Sequence, residues 1–203
     1  MTTCNDIIKG DISRQLVDAE RVIWGDAALC KYISEAQNAC ILLGVDANVV
    51  TENKTLSPSS MQSLPTGGIR LIDVHGARKI PKEVMDEAVP GWMDETTTSS
   101  IEHFMYDDEN PRIFWVYKKP ATGSITNQIS YAKSVSLLKY GTDPLTLPDS
   151  YIPAIKEFVL WRAMSEEGAN IGVGLANIHL QNFYTLIGKK YQGDMLMKAV
   201  QNG

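Results

Sequence analysis

Five apolar residues, Leu29, Ile33, Ala36, Cys40 and Leu43, recur at spacings of four and three without a fault. Such a row lays one apolar stripe along a helix. Residues from Asp26 to about Leu43 are therefore predicted to form a helix of about five turns. Asp26 offers an N-cap, and Gly44 stands where a left-handed C-cap residue belongs. Upstream, Ile12, Leu16, Ala19 and Ile23 show the same spacing behind Asp11 or Ser13, until Gly25 breaks the pattern. Two apolar stripes joined at a glycine predict an antiparallel helix pair.

The texture then changes. Residues 45–70 are rich in Ser, Thr, Asn, Pro and Gly, the composition of turns and loops. Ile69, Leu71 and Val74 suggest a strand, and Lys82 to Ala88 a short helix that stops before Pro90. Phe104 and Tyr106 face Ile113 to Tyr117 across a polar Asn110-Pro111 turn, which predicts a hairpin, with a third strand from Ile125 to Val135. Beyond Pro148, Asp149 or Ser150 caps a helix bearing Ile152, Ile155, Val159 and Ala163, and Gly168 ends it. A last helix runs from about Leu175 through Phe183 to Ile187, where Gly188 is expected to stop it, leaving a polar tail. The expected fold is α+β and predominantly helical. A bundle of N- and C-terminal helices (about 11–44 and 149–190) carries an inserted small antiparallel β-rich region (about 45–148) and a tail (189–203). No repeat or long linker divides the chain, so residues 1–203 read as a single domain.

Composition narrows the function. Lys and Arg number 19 against 24 Asp and Glu, a net charge of -5, which removes the electrostatic argument for nucleic-acid binding. No run approaches the ~20 apolar residues of a membrane span, and the N-terminus lacks the features of a secretory signal. Cys4, Cys30 and Cys40 are an odd count with no Cys-x-x-Cys, which predicts buried structural thiols in a reducing compartment and no disulfide framework. His75, His103 and His179 fall at no metal-ligand spacing, and Asp73 and His75 read as one solvated strand face. Asp107-Asp108-Glu109 lacks the spacing of a calcium loop. Gly168, Gly172 and Gly174 follow a helix rather than a strand, so they form no dinucleotide fingerprint. Ser130-x-x-Lys133 and Ser136-x-x-Lys139 stand without their companion motifs. Catalytic residues, metal ligands and cofactor-binding residues are accordingly all predicted to be none.

The aromatics Trp92, Phe104, Tyr106, Phe114, Trp115, Tyr117 and Tyr131 gather in the β-rich middle. Phe114 and Trp115 are adjacent and so face opposite sides of a strand. One face can pack on the chain's own helices and the other on another subunit, which makes Trp115 and Tyr117 interface candidates.

The order of motifs resembles the head–tail adaptor (connector) proteins of tailed bacteriophages. The early helix ending Leu42-Leu43-Gly44 precedes Met61-Gln62-Ser63-Leu64-Pro65 and the strand from Ile69 to Val74. Val89-Pro90-Gly91-Trp92 follows a short helix. Next comes Asn110-Pro111-Arg112-Ile113-Phe114-Trp115-Val116-Tyr117, leading to Pro120. Leu147-Pro148 comes before a helix with Phe158-Val159-Leu160-Trp161-Arg162-Ala163, and Asn182-Phe183 sits on a long last helix. Lys118-Lys119-Pro120 departs from the proline pair usual after that strand, and Ser134-Val135-Ser136 lacks an expected proline.

The resemblance implies a structural virion protein at the head–tail junction, made in the host bacterial cytoplasm and without catalysis. It implies a homo-oligomeric ring, typically of twelve, under the portal protein. That ring extends the DNA channel through which the genome is ejected and offers a platform to tail or nozzle/tube proteins. DNA would pass the lumen without sequence-specific binding, and no membrane is involved. The tail from Lys189 onward, with Met195, Leu196 and Met197, is expected to dock on the portal by folding on binding. Acidic subunits would line a lumen that repels phosphate. Another neck or tail-tube protein, or a small α+β enzyme, are the alternative readings.

Overall fold

The computed structural model describes residues 2–43, 47–97, 99–107, 109–122, 125–166 and 173–201, with the backbone alone at 173 and 189–201. The chain divides into two compact units, Met1–Ala47 with Val135–Gly203, and Asn48–Ser134.

In the first unit, helix α1 (Cys4–Ile7) opens on Thr3, which forms a reciprocal capping box with Asp6. The chain winds on through a π-helical stretch, Ile8–Ile12, into α2 (Ser13–Gln15). Helical structure therefore starts earlier than Asp11 and ends before Ala19, which corrects the predicted first helix. Its buried apolar residues are Cys4, Ile7, Ile8, Ile12 and Leu16. The apolar residues beyond fall in a loop, because Asp18 spends its carboxylate on the N–H groups of Val22, Ile23 and Trp24.

Helix α3 (Asp26–Leu43) matches its predicted span and buries Leu29, Ile33, Ala36 and Cys40. Leu43, at the end of the stripe, is instead exposed, and Gly44 lies outside the described residues. A strap of irregular chain from Val135 to Leu147 lies along α3 and takes part of its hydrogen bonds from α3 side chains. Asn38 both accepts from and donates to the Val135 backbone. Ser34 Oγ accepts from Leu138 N–H at 2.9 Å, and Gln37 Oε1 accepts from Thr146 and Leu147 N–H at 2.9 and 3.1 Å. A segment without a ladder of its own needs such partners when buried.

Cys4 and Cys30 form a disulfide with Cα atoms 6.1 Å apart, joining α1 to α3. This corrects the expectation of three free thiols. The pair is 26 residues apart and the packing of two helices creates it, so no local spacing announces it. Cys40 is free, and burial pushes its thiol up to about 12.

The short helix α4 (Lys82–Ala88) belongs to the second unit. Back in the first, helix α5 (Ile152–Glu166) follows a 3-10 turn, Asp149–Tyr151, and buries Ile155, Val159, Leu160 and Ala163. Gly168 lies outside the described residues. Helix α6 (Val173–Gln201) packs on α5, with Phe183 against Phe158 at 5.2 Å and His179 and Asn182 both on the Glu157 carboxylate. It continues through Gly188, correcting the predicted stop. The interior glycines Gly188 and Gly193 cost only about 1 kcal/mol each, and the Lys, Met, Leu and Ala residues around them are strong helix formers.

The second unit holds three sheets among the described residues. Strands β1 (Val49–Thr55), β9 (Thr126–Lys133) and β3 (Gly68–Val74) form one, in the order β1-β9-β3 and antiparallel throughout. Strands β2 (Met61–Ser63), β7 (Ile113–Tyr117), β6 (His103–Tyr106) and β4 (Arg78–Lys79) form another, in the order β2-β7-β6-β4. Short strands β5 (Thr96–Thr97) and β8 (Lys119–Pro120) pair in parallel. The predicted hairpin is β6–β7, with Phe104 opposite Val116. Leu71, Val74, Ile129 and Tyr131 pack with Phe104, Phe114 and Val116 in one core.

The fold is mixed, 42% helix and 24% strand. It is not the predominantly helical one predicted, and that reading is corrected. The strands β1 and β2 hide in the loop-like composition of residues 45–70. An edge strand such as Val49–Thr55, which alternates exposed and half-buried residues, has no need of an apolar face.

Candidate functional site

Strand β7 stands inside its sheet, paired on one side with β2 and on the other with β6. The two-residue period sends Phe114 and Val116 into the core, both fully buried, and Trp115 and Tyr117 to the opposite face. On that face lies a second apolar cluster of Met85, Trp92 and Met105, against which Trp115, Tyr117, Ile80 and Val89 pack. Met85 comes from helix α4 and Trp92 from the 3-10 turn Trp92–Asp94. Part of the cover over β7 thus comes from the chain itself, and Trp115 and Tyr117 remain half-buried. Asp86 fixes that cover. It accepts from Trp92 Nε1 and from Lys82 Nζ, both at 2.7 Å, and these bonds, Lys82 first, hold its carboxyl below the usual range.

Charged groups lie beside Tyr117. Tyr117 donates its hydroxyl to Glu95 at 2.9 Å, a bond that with desolvation raises the phenol pKa. The ring stacks on His103 with centroids 6.0 Å apart, and Lys118 Nζ lies 5.7 Å from its centre. Lys118 pairs with Glu102 at 3.2 Å, which raises the lysine pKa, and Lys119 pairs with Asp94 at 3.3 Å.

One constellation is invisible to the sequence reading. Asp73 and His75 lie together at a strand end, as expected, but Ser130 from β9 joins them. Its Oγ lies 2.7 Å from His75 Nε2 and 2.7 Å from Thr51 Oγ1. Carboxylate, imidazole and hydroxyl stand in the order of a nucleophilic triad. The geometry differs from one. Asp73 Oδ2 is 3.7 Å from His75 Nδ1, beyond hydrogen-bond reach. Ser130 sits within the central strand β9, whose N–H groups are committed to β1 and β3, so none is aimed at an oxyanion. The cluster instead ties three strands together. Only the register of β9 against β1 and β3 could have revealed it. Among the described residues no group of three His, Cys, Asp or Glu is placed to hold a metal, and no helix is long and apolar enough to cross a membrane.

The remaining candidates, Met195, Leu196 and Met197, lie on the backbone of α6, and their side chains fall outside the described residues.

No individually curated protein matches this chain. A family model described as SU10 adaptor protein matches residues 2–202. That match spans nearly the whole chain, both compact units included. The chain belongs to the SU10 adaptor protein family, a family of phage adaptor proteins.

Proposed function

We propose that this chain is a structural head–tail adaptor, without catalysis, whose copies form a ring of twelve beneath the portal protein and receive tail or nozzle/tube proteins on the far side. The observation that carries this reading is the adaptor-family match over residues 2–202. Both compact units act together as one adaptor domain within the virion. The aromatic surface of Trp115 and Tyr117, with the charged groups beside Tyr117, serves as a protein contact. The end of α6, with Met195, Leu196 and Met197, docks on the portal. Because this end is helical to Gln201, docking uses a preformed helix laid in a groove rather than a segment that folds on arrival. A net charge of -5 on each subunit gives a lumen that repels DNA phosphate and lets the genome slide.

The experiment is to mix purified protein with portal rings and image the product. A twelvefold layer under the portal is expected, and absence of any co-migration with the portal overturns the reading. Deletion of residues 190–203 should abolish attachment; retained attachment would remove the role given to α6.

A further inference from the structure

We propose that the pocket between the π-helical stretch Ile8–Ile12 and the loop after α2 binds a small phosphate-class oxyanion of the size and charge of pyrophosphate or a short polyphosphate. The pocket lies within the first unit and does not depend on the ring reading.

Lys9, Ser13, Arg14, Ala19 and Arg21 line a cavity of about 410 Å³. None of them is acidic, in a chain whose net charge is -5. The backbone gathers the cations. On a regular α-helix, residues 9 and 14 stand about 140° apart around the axis. Here the π-helical stretch ends with Ser13 N–H on the Ile8 carbonyl, five residues back. The wider turn brings Lys9, Ser13 and Arg14 towards one side, and such turns are frequent at functional sites. Arg21 comes from the returning loop. Val17 has φ 57° and Arg21 φ 55°, and Asp18 holds the N–H groups of Val22, Ile23 and Trp24. Left-handed backbone at such residues persists only where surrounding structure imposes it.

The carboxylates of this region are already engaged. Asp6 accepts from Thr3, Asp11 pairs with Lys156, and Asp18 serves the loop backbone. Asp26 Oδ1 lies 3.2 Å from Arg21 Nη1. With one of the three cations balanced by Asp26, two positive charges remain around the cavity, which matches a doubly charged oxyanion. Arg14 Nη2 donates to the Gly10 carbonyl at 2.8 Å, which fixes its guanidinium beside the π-helical stretch.

Two polar atoms of this wall stand without hydrogen bonds. Ser13 is 6% exposed, and its enclosed Oγ has no partner among the described residues. Arg21 Nη1 is enclosed as well and has no aligned acceptor there, with Asp26 beside it as a charge. Buried polar groups are nearly always paired, so each orphan calls for an explanation. Oxygens of a bound anion supply the missing acceptors. Guanidinium forks and an ammonium suit phosphate oxygens. The cavity has room for more than one phosphate unit. Ala19 is the one apolar residue among those that line it, so it offers no surface to a base or an acyl chain.

The test titrates the full-length chain with sodium pyrophosphate by calorimetry, against sodium chloride at equal ionic strength. One saturable site per chain is expected. Lys9→Gln/Arg14→Gln should weaken it by about tenfold or more, the worth of one charge-assisted hydrogen bond. Lys79→Gln, which removes a like charge in the other unit, should leave it unchanged. Ser13→Ala removes an unpaired hydroxyl, so its melting temperature should equal or exceed that of the wild type while its affinity falls. No saturable binding up to roughly 10 mM pyrophosphate, tenfold above a Kd of about 1 mM, overturns the proposal. So does equal affinity in the double variant. Binding of duplex DNA that pyrophosphate fails to displace assigns the cations to a nucleic-acid backbone and overturns it too.

Discussion

Gln37 is the most informative side chain to change. It is fully buried in the middle of α3, and its Oε1 holds two strap N–H groups, those of Thr146 and Leu147. Gln37→Met keeps the volume and removes the acceptor. Each buried donor left unmade costs roughly 1–3 kcal/mol, so two give about 2–6 kcal/mol. One effect reduces that sum. The Nε2 of Gln37, which has no partner among the described residues, disappears with the substitution. The relief of that orphan returns about 1–3 kcal/mol, and a net loss of about 1–3 kcal/mol remains. In a protein of this size 1 kcal/mol moves the melting point by about 2–4 °C, so a fall of about 2–12 °C is expected. Thermal unfolding followed by circular dichroism reads the shift. Amide exchange should show protection lost at Leu147 before it is lost in α5. Ser34→Ala, which frees the Leu138 N–H, should act in the same direction. A Gln37→Met melting point within about 1 °C of wild type, below the smallest shift expected, would refute the reasoning, because the strap would then owe nothing to the Gln37 acceptor.

Other outcomes follow from the same reading. At Gly68 a Cβ would stand 2.8 Å from Leu64 Cβ and 3.0 Å from the Pro65 carbonyl; Gly68→Ala should cost about 1–3 kcal/mol through overpacking, and an unchanged urea midpoint would contradict it. Asp6, Asp11, Asp18 and Asp86 are all held below the ordinary carboxyl value of 3.8, chiefly by their hydrogen bonds. Their contribution is thus complete above that value and is lost as pH falls through the lower folded-state values; an acid titration should show stability declining below about pH 4, and a flat profile down to about pH 2 would count against it. With Cys4–Cys30 paired and Cys40 free, denatured unreduced protein should titrate as one thiol per chain. Removing the bond with Cys4→Ser should cost about 3.5 kcal/mol for a loop of 26 residues. Three thiols without reductant would show the pair open.

Some of this is legible in the sequence and some is not, for physical reasons. The α3 stripe survives because one partner face suffices to produce a four-three spacing. The β6–β7 hairpin survives because its turn and its β-rich flanks are local. Strand β1 stays hidden since its pairing with β9 spans residues 49 to 132 and its side chains need no apolar pattern. The first helix is misplaced because Ile12 and Leu16 serve both the true and the false extent of it, and only the hydrogen bonding of Asp18 decides between them. At the candidate surface, alternation separates Trp115 from Phe114 as the structure does. It has no means of saying that Met85 and Trp92 come back over the second face.

The pairing of β1 with β9 also has a consequence for how such a protein changes over time. Val49 lies opposite Ala132, and Lys133 N–H donates to the Asn48 carbonyl at 3.1 Å. The unit Asn48–Ser134 therefore begins and ends as hydrogen-bonded neighbours, roughly 5 Å apart. A gap that small can be closed by a tight turn. The β-rich unit is in effect a cassette, open to enlargement, trimming or exchange while the chain ends that bound it keep their spacing.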